Sequence, residues 1–220
     1  MNMSTSKAWI IAVLFLLASV GCASSPGTDS ATGSSNSQYK DFLAQVAGGS
    51  LAPDAKDDQG RPAVITAVLY GSNEDLQRIL NSGADPDAIY SGVTALHFAV
   101  SDACQGNKVG TLISAGADVN QVGKVLGSSP LHLAAQHEDP TCLVAIAEAG
   151  ANVDVQDDQG RTAYFYAIDF GSEAAVETLS SLGADPTIPS ADGLDIFKYA
   201  IASDKAGLVK PLVFKLVEKN

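Results

Sequence analysis

The chain has 220 residues, 46% apolar and 17% charged, enough for one or two folded domains; collagen, coiled coil and wholesale disorder are excluded. Its 25 acids against 13 Lys and Arg leave a net charge of −12, a field that repels nucleic acid and anionic headgroups. Three cysteines are too few for a disulfide-rich miniprotein or a four-thiolate metal site.

The N-terminus reads as an address. Lys7 precedes an uncharged apolar run, Ala8 to Ala18, that is too short to span a bilayer comfortably and is laid out as a secretory signal. It leads into Ala18-Ser19-Val20-Gly21-Cys22, which resembles the lipobox of bacterial lipoproteins, where cleavage falls before a cysteine that is then acylated. The resemblance implies a signal peptide over residues 1–21 and lipidation at Cys22. With Ala23 rather than Asp following, it implies an outer-membrane anchor and a periplasm-facing protein. Ordinary cleavage near Ala23 would instead release a soluble secreted chain. Residues 22–37, almost all small and polar, are expected to be a flexible tether.

The rest of the chain repeats itself. Gly60, Gly92, Gly127, Gly160 and Gly193 open similar stretches, spaced by 32, 35, 33 and 33 residues. The stretch Gly92-Val93-Thr94-Ala95-Leu96-His97-Phe98-Ala99 returns as Gly127-Ser128-Ser129-Pro130-Leu131-His132-Leu133-Ala134. It returns more loosely as Gly160-Arg161-Thr162-Ala163-Tyr164-Phe165-Tyr166-Ala167. Gly83-Ala84-Asp85, Gly116-Ala117-Asp118, Gly150-Ala151-Asn152 and Gly183-Ala184-Asp185 close the units.

Ser129 before Pro130 places a capping hydroxyl ahead of a proline at the first helical position, and Thr94 and Thr162 are expected to cap alike. Leu76, Ile79 and Leu80 make one apolar face of a second helix, as do Val176, Leu179 and Leu182. The closing glycines then supply the left-handed residue that ends it. Each unit is therefore a helix, a turn, an antiparallel helix and an extended loop, and stacking supplies the core.

These motifs resemble ankyrin repeats over about residues 38–220. The resemblance implies an all-α repeat solenoid of helix-turn-helix units with extended loops or β-hairpins, about five units with caps at both ends. Residues 38–47, with Tyr39, Phe42, Leu43 and Val46 apolar, would cap one end; the unit from Gly193, with Lys205, Lys210, Lys215 and Lys219, would cap the other. The second unit carries extra residues between its helices and in its loop at 121–126. Charge is unevenly spread: residues 22–192 hold 7 bases and 22 acids, whereas 193–220 hold 5 and 3.

No Gly-rich phosphate loop, Gly-x-Ser-x-Gly elbow or zinc-protease motif occurs, so no catalytic residue, cofactor or metal is expected. His97 and His132 sit where ankyrin histidines hydrogen-bond within and between units. Asp57-Asp58 and Asp157-Asp158, each before a repeat glycine, read as solvated or partner-facing. On the family's stacking, Cys104 and Cys142 lie in neighbouring inter-helix turns and are expected to form a disulfide; two independent buried thiols are the alternative.

The family's contact positions are loop tips, the residue after each repeat glycine, and the exposed end of each first helix. Carried onto this chain they give, for the first two units, Arg61, Leu69, Tyr70, Tyr90, Val93, Ser101, Asp102, Val122 and Lys124. For the later units they give Ser128, Gln136, His137, Gln156, Asp158, Arg161, Asp169, Phe170 and Pro189. The expected partner is another protein with a basic or mixed surface. Nucleic acid is not expected, membrane contact runs through the lipid alone, and the chain is expected to be a monomer. One reading is an inhibitor of the immunity-protein kind, neutralising a toxin or effector in the periplasm; the other is a scaffold supporting a resident enzyme such as an oxidative-stress enzyme.

Overall fold

Apolar positions at helical spacing fold the chain into short helices, seen in a computed structural model that describes residues 32–101, 104–124 and 126–213. Residues 1–21, expected to form a signal peptide, lie outside these residues, as do Cys22 and Asp102. In chain order the helices are α1 (Thr32–Ala47), α2 (Ala63–Tyr70), α3 (Asn73–Asn81), α4 (Ala95–Ser101) and α5 (Gly106–Ser114). After them come α6 (Pro130–Ala134), α7 (Thr141–Glu148), α8 (Ala163–Phe170), α9 (Glu173–Ser181) and α10 (Ile196–Ala202), then a 3₁₀ turn over Ala206–Val209. One hairpin, β1 (Ile89–Tyr90) and β2 (Val93–Thr94), pairs antiparallel with Tyr90 opposite Val93. Its turn residues, Ser91 and Gly92, have φ of 52° and 85°, as the primed turns of two-residue hairpins require.

The chain divides at Asp118/Val119 into two compact units, the first holding α1–α5 and the second α6–α10. In both, the first helix of each repeat is apolar all round: Ala63–Val68, Ala95–Val100, Pro130–Ala134 and Ala163–Ile168 are buried throughout. The second helix buries only a stripe, as its 3.6 period dictates. Leu76 and Ile79 are buried in α3, Val109 and Leu112 in α5, Leu143 and Ile146 in α7, and Val176 and Leu179 in α9. Each such side chain contributes roughly 1.5–3 kcal/mol of burial. The four closing glycines end these helices at φ of 98°, 94°, 95° and 85°, where a side chain would be strained.

The Gly-Ala-Asp/Asn motif also stitches the loops together. Asp54 Oδ1 accepts the Asp85 N–H at 3.0 Å and Asp87 Oδ1 the Asp118 N–H at 2.8 Å. Asn120 Oδ1 takes the Asn152 N–H and Asp154 Oδ1 the Asp185 N–H, both at 2.8 Å. One short polar side chain per repeat thus satisfies a backbone donor of the next, which explains the residue type at that position.

Two expectations need correction. Helix α1 begins at Thr32, so the tether boundary placed at 37/38 falls inside a helix. Thr162 does not cap α8 with its hydroxyl, which is buried without a hydrogen bond. The reason is the third residue of the helix. In α4 and α6 it is a histidine, and the Thr94 and Ser129 hydroxyls lie 2.7 and 2.9 Å from His97 and His132 Nδ1; in α8 it is Phe165.

Candidate functional site

The pentapeptide Asp-Asp-Gln-Gly-Arg occurs at 57–61 and again at 157–161. In each copy a tight turn brings the arginine back onto the first aspartate. Asp57 Oδ1 accepts the Gln59 and Arg61 N–H groups at 2.9 and 3.0 Å, while Oδ2 accepts Arg61 Nε at 2.8 Å and the Thr66 hydroxyl at 2.8 Å. Asp157 repeats this: its Oδ1 accepts Gln159 and Arg161 N–H at 2.8 and 2.9 Å, and its Oδ2 accepts Arg161 Nη2 at 2.8 Å and the Tyr166 hydroxyl at 2.9 Å. The Asp157 side chain is 0% exposed and Arg161 6%, so this is a fully desolvated ion pair held by its extra hydrogen bonds.

Each cluster reaches the end of its helix. Arg61 Nη1 donates to the Tyr70 hydroxyl at 2.8 Å, and Tyr39 of α1 stacks on Tyr70 with centroids 4.3 Å apart. In the second copy Arg161 Nη1 lies 3.8 Å from Asp169, which accepts the Tyr199 hydroxyl of α10 at 2.5 Å. Burial pushes the Tyr166 and Tyr199 phenols above their ordinary 10.0, so both remain donors. Lys205 Nζ donates to the Ile168 and Asp169 carbonyls at 2.7 and 2.5 Å, capping α8 where its dipole is negative. The end of α8, at Phe170, is therefore rigidly held.

His132 links the cluster to the repeat before it. Its Nδ1 accepts the Ser129 N–H at 3.0 Å, its Nε2 faces the Arg161 carbonyl at 2.9 Å, and its ring lies 4.9 Å from Tyr166. That pattern fixes the neutral tautomer with the proton on Nε2. Burial holds its pKa below the ordinary 6.5. The unfolded chain therefore takes up this proton first as the solution is acidified, and the contribution to stability is full above about pH 6.5 and lost below it. Denaturant midpoints measured from about pH 7.5 to 5.5 are expected to fall with acidification, and to fall less steeply in His132→Gln.

The positions expected to meet a partner divide by burial. Val122, Lys124, Gln156, Asp158, Phe170 and Pro189 are exposed, with Val122 at 50% and Phe170 at 41%. Leu69, Tyr70, Tyr90, Ser101, Gln136, His137 and Asp169 are half-buried. Arg61, Val93, Ser128 and Arg161 are 3–5% exposed and lie out of a partner's reach, which corrects their assignment as contacts. The arginines turn inward because a carboxylate four residues earlier takes them. Asp57 and Asp157, expected at the surface, are those carboxylates; only Asp58 and Asp158 remain exposed. Tyr70 too is occupied by Tyr39, while Tyr90 lies 6.4 Å from Phe98.

The second unit brings its exposed loop tips together. Gln156 Nε2 bonds the Gly160 and Pro189 carbonyls at 2.7 and 3.1 Å, and the Asp158 N–H donates to the Leu126 carbonyl at 2.9 Å. Leu126 has φ of 62° and Gly127 φ of 61°, so the longer loop before α6 turns through the left-handed region to reach that bond. Cys104, at φ of 48°, precedes α5, and Cys142 is buried in the first turn of α7; both are disulfide-bonded. Among the described residues no group of three His, Cys, Asp or Glu side chains is placed to hold a metal ion.

Residues 101–190 match a family model described as ankyrin repeats (3 copies). The chain is 34% identical over 139 residues to the B-cell lymphoma 3 protein homolog of Mus musculus, covering 61% of this chain and 31% of that one. It is 33% identical over 131 residues to the Transient receptor potential channel pyrexia of Drosophila melanogaster, covering 58% and 13%. It is 33% identical over 151 residues to Ankyrin repeat and SOCS box protein 6 of Homo sapiens, covering 63% and 35%. The chain thus spans about a third or less of the relatives it matches.

Proposed function

We propose, from the premise that residues 101–190 are ankyrin repeats, that the chain is a lipid-anchored protein that captures and neutralises a basic protein at the bacterial envelope. Ankyrin repeats are protein–protein interaction units and generally non-catalytic. The observation that carries it is charge: a net −12 on a scaffold whose arginines at 61 and 161 are spent inside the fold. An acidic surface steers a basic partner and rejects an acidic one. Cys22, after Gly21 and an apolar run, would fix the scaffold where that partner arrives and raise its effective concentration.

The test has two parts. Fatty-acid labelling of the full chain in a Gram-negative bacterium is expected to mark the wild type, whereas Cys22→Ser loses the label and becomes soluble. An unlabelled, soluble wild type would sink the anchor. The protein captured from the envelope should be basic, should associate more slowly as salt rises, and should lose its own activity when bound. A captured enzyme whose activity is supported would replace inhibitor with scaffold.

A further inference from the structure

We propose that Phe170 is the docking point for an aromatic side chain on a basic segment of another protein. The proposal rests on the protein-binding reading and names the chemistry of the partner. Its basis is an internal comparison. Residues 57–72 and 157–172 share Asp-Asp-Gln-Gly-Arg, two alanines in the helix and the closing Gly-Ser, all at a constant offset of 100. In the first copy the helix ends on Tyr70, and the fold itself supplies a ring to cover it: Tyr39, stacked at 4.3 Å with an interplanar angle of 16°. Tyr39 stands on helix α1 with Lys40 beside it. In the second copy the helix ends on Phe170, which is 41% exposed, while the buried Asp157–Arg161 pair engages Tyr166 and Asp169. Among the described residues no aromatic ring stacks on Phe170.

The surroundings of Phe170 select charge as well as shape. The Ser172 hydroxyl donates to the His137 carbonyl at 2.9 Å, which places the turn containing Glu138 and Asp139 beside the end of α8. Glu138, Asp139, Glu173 and Asp204 are all exposed, the first two on this turn, Glu173 at the start of α9 and Asp204 in the turn after α10. Lys205, beside Asp204, is drawn onto the Ile168 and Asp169 carbonyls. An exposed aromatic with carboxylates on the neighbouring turns complements an aromatic flanked by Lys or Arg, and aromatic side chains are among the residues enriched in interface hot spots.

The experiment uses the full mature chain and two synthetic probes: a lysine-rich helical peptide with one tryptophan, and its twin with alanine in that place. Wild type is expected to bind the tryptophan peptide roughly tenfold more tightly than the twin, read by titration of fluorescence. Phe170→Ala should erase that difference with an unchanged circular dichroism spectrum, and Phe170→Leu should retain part of it. Glu173→Lys should weaken both peptides by roughly threefold, and Tyr70→Ala should change neither, its ring being already covered. Equal binding of the two peptides, no binding of either, or an undiminished preference in Phe170→Ala overturns the proposal. Capture of a native partner equally by wild type and Phe170→Ala would overturn it too, yet leave the protein-binding reading standing.

Discussion

Replacing Asp157 with alanine is expected to cost about 3–5 kcal/mol of folding stability, because it leaves the Arg161 guanidinium buried without its carboxylate. The Asp157 side chain is 0% exposed and holds two backbone N–H groups, the guanidinium and the Tyr166 hydroxyl, so no water can take over. Against the roughly 5–15 kcal/mol that a domain has, this is a severe loss. Its neighbour Asp158 is the control: exposed and bonded through its backbone N–H, it should change stability by less than about 0.5 kcal/mol on conversion to alanine. Urea unfolding of both variants at neutral pH decides the matter. Equal effects at the two positions would mean that the buried pair has no special weight.

The second large effect concerns the cysteines. Cys104 and Cys142 are both disulfide-bonded, and we predict that they are bonded to each other. They stand 38 positions apart, and closing a loop of that size should contribute about 3–4 kcal/mol on the chain-entropy model. A repeat array is held by nearest-neighbour interfaces and opens at the weakest, and α5 carries two poor helix formers, Gly106 and Gly110. Non-reduced protein should weigh two mass units less than reduced protein, with one peptide linking the two cysteines. The Cys104→Ser/Cys142→Ser variant should unfold at lower denaturant. Two freely alkylated thiols in protein purified without reductant would end the claim.

Sequence alone determined the repeat period, the helix pairs and the glycine-closed helix ends, since these depend on local chemistry. A stripe of Leu76 and Ile79, a Ser-Pro start at Pro130 and a left-handed Gly83 each act within a few residues, so their meaning survives without coordinates. Tertiary structure decided which polar residues face inward. Asp57 and Asp157 look like surface acids in a list, and Arg61 and Arg161 like surface bases. Their four-residue spacing and their repetition in an identical pentapeptide were the available signal, but the pairing also needs Thr66 or Tyr166 one helix turn deeper to complete the carboxylate's bonds. Sequence likewise placed Tyr70 and Phe170 at equivalent helix ends. Only packing distinguished them, because a ring is exposed or covered according to what a distant segment brings to it. Tyr39, 31 positions before Tyr70, covers one, and among the described residues no ring covers the other.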